Sequence, residues 1–164
     1  MAGRGVLFAL ESADERHMIA FPQARARIAW VAGVVEERWD ASWLHEVDKL
    51  WFPVHFCLHG SSGFPQSGAP PEALAIFGGM PLGVPDLYSI DYKDADLVRR
   101  ISSALSKMRD DAVWARAGLV ERKGYSGPKD ANLQGAVVEE IHALAAFYAR
   151  AAEALRAVIF TVDM

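Results

Sequence analysis

A single cysteine, Cys57, excludes an intrachain disulfide and with it the disulfide-stapled design of small secreted domains. Long apolar runs are also missing. Nowhere do the roughly 18 uninterrupted apolar residues of a bilayer-spanning helix occur. The apolar stretch at residues 6–10 is shorter than a signal-peptide core and has no cleavage-like sequence after it. Charge of one sign is scarce too: 17 Lys and Arg against 21 Asp and Glu leave a formal net charge of −4, too small an excess for a nucleic-acid or membrane surface. These absences point to a cytoplasmic protein with neither nucleic acid nor membrane as a partner. What is present is material for a core. Of the 164 residues, 52% are hydrophobic and 23% charged, the balance expected of a single globular domain over 1–164.

Val6, Leu7, Phe8, Ala9 and Leu10 form a continuous apolar run ended by Glu11 and Ser12, a pattern that suits a strand central in a sheet and covered on both faces. Ser12 and Glu15 have the spacing of a capping box ahead of a short helix at 13–20. Beyond the break at Pro22, the three-and-four spacing of Ile28, Val31, Val35 and Trp39 marks one face of a second helix. Arg25, Arg27, Glu36 and Glu37 fall on its solvated side. Across 42–59, Leu44, Val47, Trp51, Val54 and Leu58 repeat at three and four, which predicts one amphipathic helix, kinked or split at Pro53.

Residues 60–71, rich in Gly, Ser and Pro, read as a long loop; Pro71 opens a helical turn toward Phe77, and a short strand is expected at 87–92. Leu97, Val98, Ile101, Ala104, Leu105 and Met108 predict another amphipathic helix with Asp94 and Asp96 at its positive end. A short helix at 110–122 and a turn at 124–128 follow. Val137, Ile141, Leu144, Tyr148, Ala151 and Leu155 keep a helical rhythm up to the β-branched strand at 158–162. The expected fold is α+β, with a small mixed sheet that includes the N- and C-terminal strands as neighbours and packs against several amphipathic helices.

Enzyme signatures fail one after another, and no catalytic residue is assigned. His45-Glu46-Val47-Asp48-Lys49 starts like a zinc-protease helix but has Lys49 where the second His belongs. No Gly-rich loop matches a phosphate or dinucleotide cradle, and Gly60-Ser61-Ser62-Gly63 lacks the spacing of a nucleophile elbow. Cys57, between Phe56 and Leu58, reads as a buried, inert thiol. His55 and His59, four residues apart and about 6 Å along a helix axis, are a weak metal hint because no third or fourth ligand accompanies them. The structural alternative is a pair of boundary histidines beside the apolar stripe.

Asp48, Trp51, His55 and His59 form the candidate cluster. On one helix edge they either line a pocket or tie elements together, with Asp48 accepting backbone N–H bonds, His55 donating to a carbonyl and Trp51 filling core. No metal and no cofactor is assigned. Glu139 and His142 have di-iron spacing, but they have no second pair and point away from the apolar stripe. The seven basic residues between 99 and 123 lack an interleaved aromatic platform beyond Trp114 and read as solvated surface.

The segment from His45 to Gly60, with Asp48-Lys49-Leu50-Trp51 followed by His55, Leu58 and Gly60, resembles the YfbM-like family of uncharacterised bacterial proteins. The resemblance extends to Gly5-Val6-Leu7-Phe8-Ala9-Leu10, to Leu74-Ala75-Ile76-Phe77-Gly78-Gly79 and to Ala157-Val158-Ile159-Phe160, and so covers nearly the whole chain. It implies an α+β fold and supplies no activity and no catalytic residues. Through relatives associated with immunity or accessory roles in bacterial conflict systems, it implies protein binding rather than catalysis. The expected function is therefore non-enzymatic recognition of another protein, of the immunity or toxin-neutralising kind, through the 60–71 loop and its surroundings. The competing expectation is a small-molecule or metal-binding pocket, hydrolytic in one form, around Asp48, His55 and His59.

Overall fold

β1 (Gly5–Leu10) is buried at all 6 positions, which a strand achieves only when layers cover both faces of its sheet. The computed structural model, which describes residues 3–120 and 132–163, contains both layers. β1 pairs antiparallel with β2 (Leu44–Asp48) on one side and with β5 (Ala157–Asp163) on the other. β5 continues to β4 (Tyr88–Lys93), and β4 to the short edge strand β3 (Met80–Pro81), again antiparallel. The order is β2-β1-β5-β4-β3. The apolar runs near the two ends of the chain are thus neighbours, with Val6 opposite Thr161 and Leu10 opposite Ala157.

Strand alternation sorts the core in two. Val6, Phe8, Leu10, Ile90, Tyr92 and Ile159 face α1 (Ser12–Ala20), α2 (Ala24–Trp30) and the π-helical turn Val31–Glu36, from which Met18, Val31 and Val35 are buried. Leu7, Ala9, Val158, Phe160 and Val162 face α3 (Trp51–His59), α4 (Ala95–Leu105), α5 (Asp110–Val120) and α6 (Leu133–Glu153). The result is an α+β architecture with helices on both sides of an antiparallel sheet. Asp94 caps α4 by accepting the Leu97 N–H at 2.8 Å, and Pro71 opens the 3-10 turn Pro71–Leu74. The expected turn at 124–128 and the last residues of the helix at 110–122 lie outside the described residues. No helix among the described residues is long and apolar enough to cross a membrane.

Several local expectations are overturned. Ser12 is already helical, Glu11 is the N-cap and no side chain caps it, so the Ser12–Glu15 box does not form. Arg27 and Glu36, expected in solvent, turn inward. Arg27 donates to the carbonyls of Met18 (3.1 Å), Phe21 (2.5 Å) and Leu82 (3.0 Å), a use of the guanidinium fork that satisfies orphan carbonyls at the end of α1. Glu36 closes the π-helical turn, where i→i+5 winding brings the fifth residue after Val31 back over the buried face.

The largest departure is at 42–59, where a strand and a helix replace the single helix. Val47 fits both periods: with Trp43 and His45 it occupies alternate positions, and His45 reaches Glu140 (2.5 Å) and the Phe147 ring on α6. Pairing with the free edge of β1 satisfies the backbone of both segments and decides for the strand. Pro53 consequently kinks nothing. It is the third residue of α3, in the first turn, where backbone N–H groups lack intrahelical acceptors in any case.

Leu155, expected on the buried stripe of α6, lies past its end with φ of 54° and is 74% exposed. Arg156 N–H bonds to Ala151 O and Leu155 N–H to Ala152 O, the Schellman pattern that places glycine best at this left-handed position. Leu155→Gly is therefore expected to raise stability by about 0.5–1 kcal/mol, which urea unfolding measures; a loss of stability would contradict the cap.

Candidate functional site

β4 reads Tyr88-Ser89-Ile90-Asp91-Tyr92-Lys93, and alternation sends Ser89, Asp91 and Lys93 to the face away from α1 and α2. Polar groups on an inward sheet face must find partners, and the chain at 76–79 supplies them. Asp91 accepts the Gly78 N–H through Oδ1 (3.1 Å) and the Ser89 hydroxyl through Oδ2 (2.6 Å). Lys93, wholly buried, donates from Nζ to the carbonyls of Ile76 (2.8 Å) and Asp91 (3.1 Å). Burial pushes its ammonium down to about 8, against the pull of the Asp91 charge. The segment runs so close to β4 that a Cβ at Gly79, where φ is +81°, would lie 2.1 Å from the Tyr92 carbonyl oxygen.

In front of this polar knot opens a cleft of about 300 Å³, walled by Phe64, Pro65, Val84 and Pro85 with Asp86 and Asp91 as its only charged lining groups. The Phe64 wall is anchored from behind. Phe77 packs edge-on against Phe64 (5.0 Å between centroids), His55 (5.1 Å) and Phe160 (5.3 Å). His55 donates from Nε2 to the Gly63 carbonyl at 2.8 Å, while its buried Nδ1 has no partner among the described residues. Burial lowers the His55 pKa below the usual imidazole range, and the Gly63 bond only partly offsets this.

The family model for the domain of unknown function DUF1877 matches residues 1–161. The chain belongs to the DUF1877 family. It is also similar to a solved structure, a protein of unknown function, YfbM from Escherichia coli, with a TM-score of 0.73 at 15% identity over 97% of this chain and 99% of that one. At that identity the likeness is one of fold. No curated protein matches the chain.

In this DUF1877 chain the four residues singled out by sequence do not share one helix edge. Asp48 ends β2, exposed, with φ of 46°, opposite Gly5. Trp51 opens α3, donates its indole N–H to the Gly3 carbonyl at 3.0 Å and packs against Phe77 and Phe160. His55 is sealed in the interior, stacked on the half-buried His59 at 5.2 Å, and the His59 Nδ1 meets the Ser61 hydroxyl at 3.0 Å. Among the described residues no three His, Cys, Asp or Glu side chains come together as a metal-binding group. His142 pairs instead with Asp110 at 2.7 Å on the exposed side of α6. Sequence reading missed Asp91, Ser89 and Asp86. Its available signals were the Gly78-Gly79 pair and the polar residues at every second position of β4.

Two measurements probe this region. His55 has an ordinary value of 6.5 unfolded and a lower one folded. Above the unfolded value both states are neutral and the contribution is complete. As pH falls from there toward the folded value, only the unfolded chain takes the proton, so stability drops by up to about 1.4 kcal/mol per pH unit. Urea titrations across that window are expected to show the slope, and His55→Gln to remove it. Gly79→Ala is expected to cost about 2–4 kcal/mol, through both the Tyr92 clash and the left-handed backbone; a near-neutral result would contradict the close approach.

Proposed function

We propose that this chain is a binding protein without catalytic chemistry, and that its partner is another protein held at the cleft between the 60–71 loop and β4. The lining of the cleft carries the reading: apolar walls, two carboxylates, and no imidazole, thiol or amine; its one hydroxyl, Ser89, donates to Asp91, a carboxylate that also accepts the Gly78 N–H. Cys57 offers no alternative, because burial pushes its thiol up to about 12. Phe64 (63% exposed), Met80 (55%) and Leu87 (54%) lie on the segments that form the cleft and extend its apolar surface. The partner segment that fits places a bulky apolar side chain against Phe64 and Val84 and a Lys or Arg beside Asp86. Neutralisation of a toxin by such a contact is one form this function takes. A hydrolytic pocket of Asp48, His55 and His59 has less support, since Asp48 ends a strand in solvent while His55 is enclosed.

A random peptide library displayed against the purified protein is expected to yield sequences with a large apolar residue next to Lys or Arg. Their affinity is expected to fall at least about tenfold on Asp86→Asn and on Phe64→Ser, with circular dichroism unchanged. Binders indifferent to both substitutions, or turnover of a small substrate by the purified protein alone, would overturn the reading.

A further inference from the structure

On the opposite face of the sheet the same alternation builds a second cavity, of about 240 Å³, that the cleft reading does not use. Val6 on β1 lies opposite Thr161 on β5, and Tyr88 on β4 lies opposite Asp163, so neighbouring strands present these side chains together. Glu36 from the π-helical turn, Trp39 three residues on, and Arg4 ahead of β1 complete the lining.

Each polar group here keeps hydrogen-bonding capacity to spare. Glu36 accepts the Tyr88 and Thr161 hydroxyls through Oε1 alone, and its Oε2 has no donor among the described residues. Arg4 donates from Nε to Glu46 at 2.5 Å and lies over the Trp39 ring, 4.7 Å from the centroid. Neither the Arg4 Nη groups nor the Asp163 carboxylate has a hydrogen-bond partner among the described residues. Trp39 is 38% exposed, has φ of 42°, and its ring meets Arg4 and Phe8. A bulky residue in that conformation is strained, and π-helical turns recur at functional sites.

We propose that this cavity binds a single polyhydroxylated ring, a monosaccharide or cyclitol, with its C–H groups against the part of Trp39 that Arg4 and Phe8 leave exposed, hydroxyls donating to Glu36 Oε2 and Asp163, and hydroxyls accepting from the Arg4 Nη groups. The chemistry selects this class. The free groups are two carboxylate acceptors and one donor fork beside a partly exposed aromatic ring, and a ligand whose hydroxyls each both donate and accept satisfies all of them without a charge of its own. A phosphate would meet two carboxylates, and an ammonium ion would meet Arg4. The volume lies below the roughly 300–1,000 Å³ of drug-sized pockets, which favours one ring.

Saturation-transfer NMR against a panel of hexoses, pentoses and inositols is expected to give at least one saturable binder. Trp39→Gly relieves the left-handed residue while deleting the aromatic contact, and is expected to weaken that binder at least about tenfold. Asp163→Asn, at the exposed end of β5, is expected to weaken it without touching the core. No saturable binder in the panel, equal binding by both variants, or saturable binding of alkylammonium ions alone would overturn the proposal.

Discussion

The pairing of β1 with β5 has to be kept dry on both faces, and the remaining elements are arranged to do so. Antiparallel sheets commonly leave one face to water. Here all of β1 and β5 up to Val162 are buried, so a single helical layer does not suffice. α1, α2 and the π-helical turn cover one side and α3 to α6 the other. A polar side chain on the inner strands is therefore largely shielded from bulk water and is answered inside. Glu36 answers Tyr88 and Thr161 on one face, and the Gly78 N–H and Ser89 hydroxyl answer Asp91 on the other. The larger cleft opens along β4, toward the edge of the sheet, and the second cavity opens over the start of β1 and β4 and the end of β5.

Much of this architecture is legible from residue spacing. Continuous apolar runs identify β1 and β5, and the helical periods of α4 and α6 locate their buried faces correctly as far as Ala151. Spacing fails where one residue satisfies two templates. Val47 belongs equally to a helical stripe and to an alternating strand, and the unpaired edge of β1, more than 30 residues away in sequence, makes the choice. Leu155 continues the rhythm of α6 on paper, yet the chain has already turned through a Schellman cap.

The candidate site is less legible for a related reason. Asp48, Trp51 and His55 share a helix edge only if 42–59 is one helix; with a strand at 44–48, Trp51 and His55 keep their common edge on α3 and Asp48 leaves it. Glu36 was hidden because α-helical periodicity places it in solvent, and the wider winding that turns it inward leaves no mark in composition. Asp91 and Lys93 did leave a mark. A strand with polar residues at every second position can have its polar face turned either to water or to a buried network, and local sequence does not distinguish the two.

The central strand pair also has a kinetic consequence. Gly5–Leu10 finds both of its partners only after the chain has closed loops reaching to 44–48 and to 157–163, and folds that depend on such distant pairings form slowly. Until they close, a fully apolar strand stands with both edges unpaired, open to the same strand of another molecule. Substitutions that weaken the pairing of β1 will therefore act twice, lowering equilibrium stability because the strand is fully buried and promoting aggregation during refolding at high concentration.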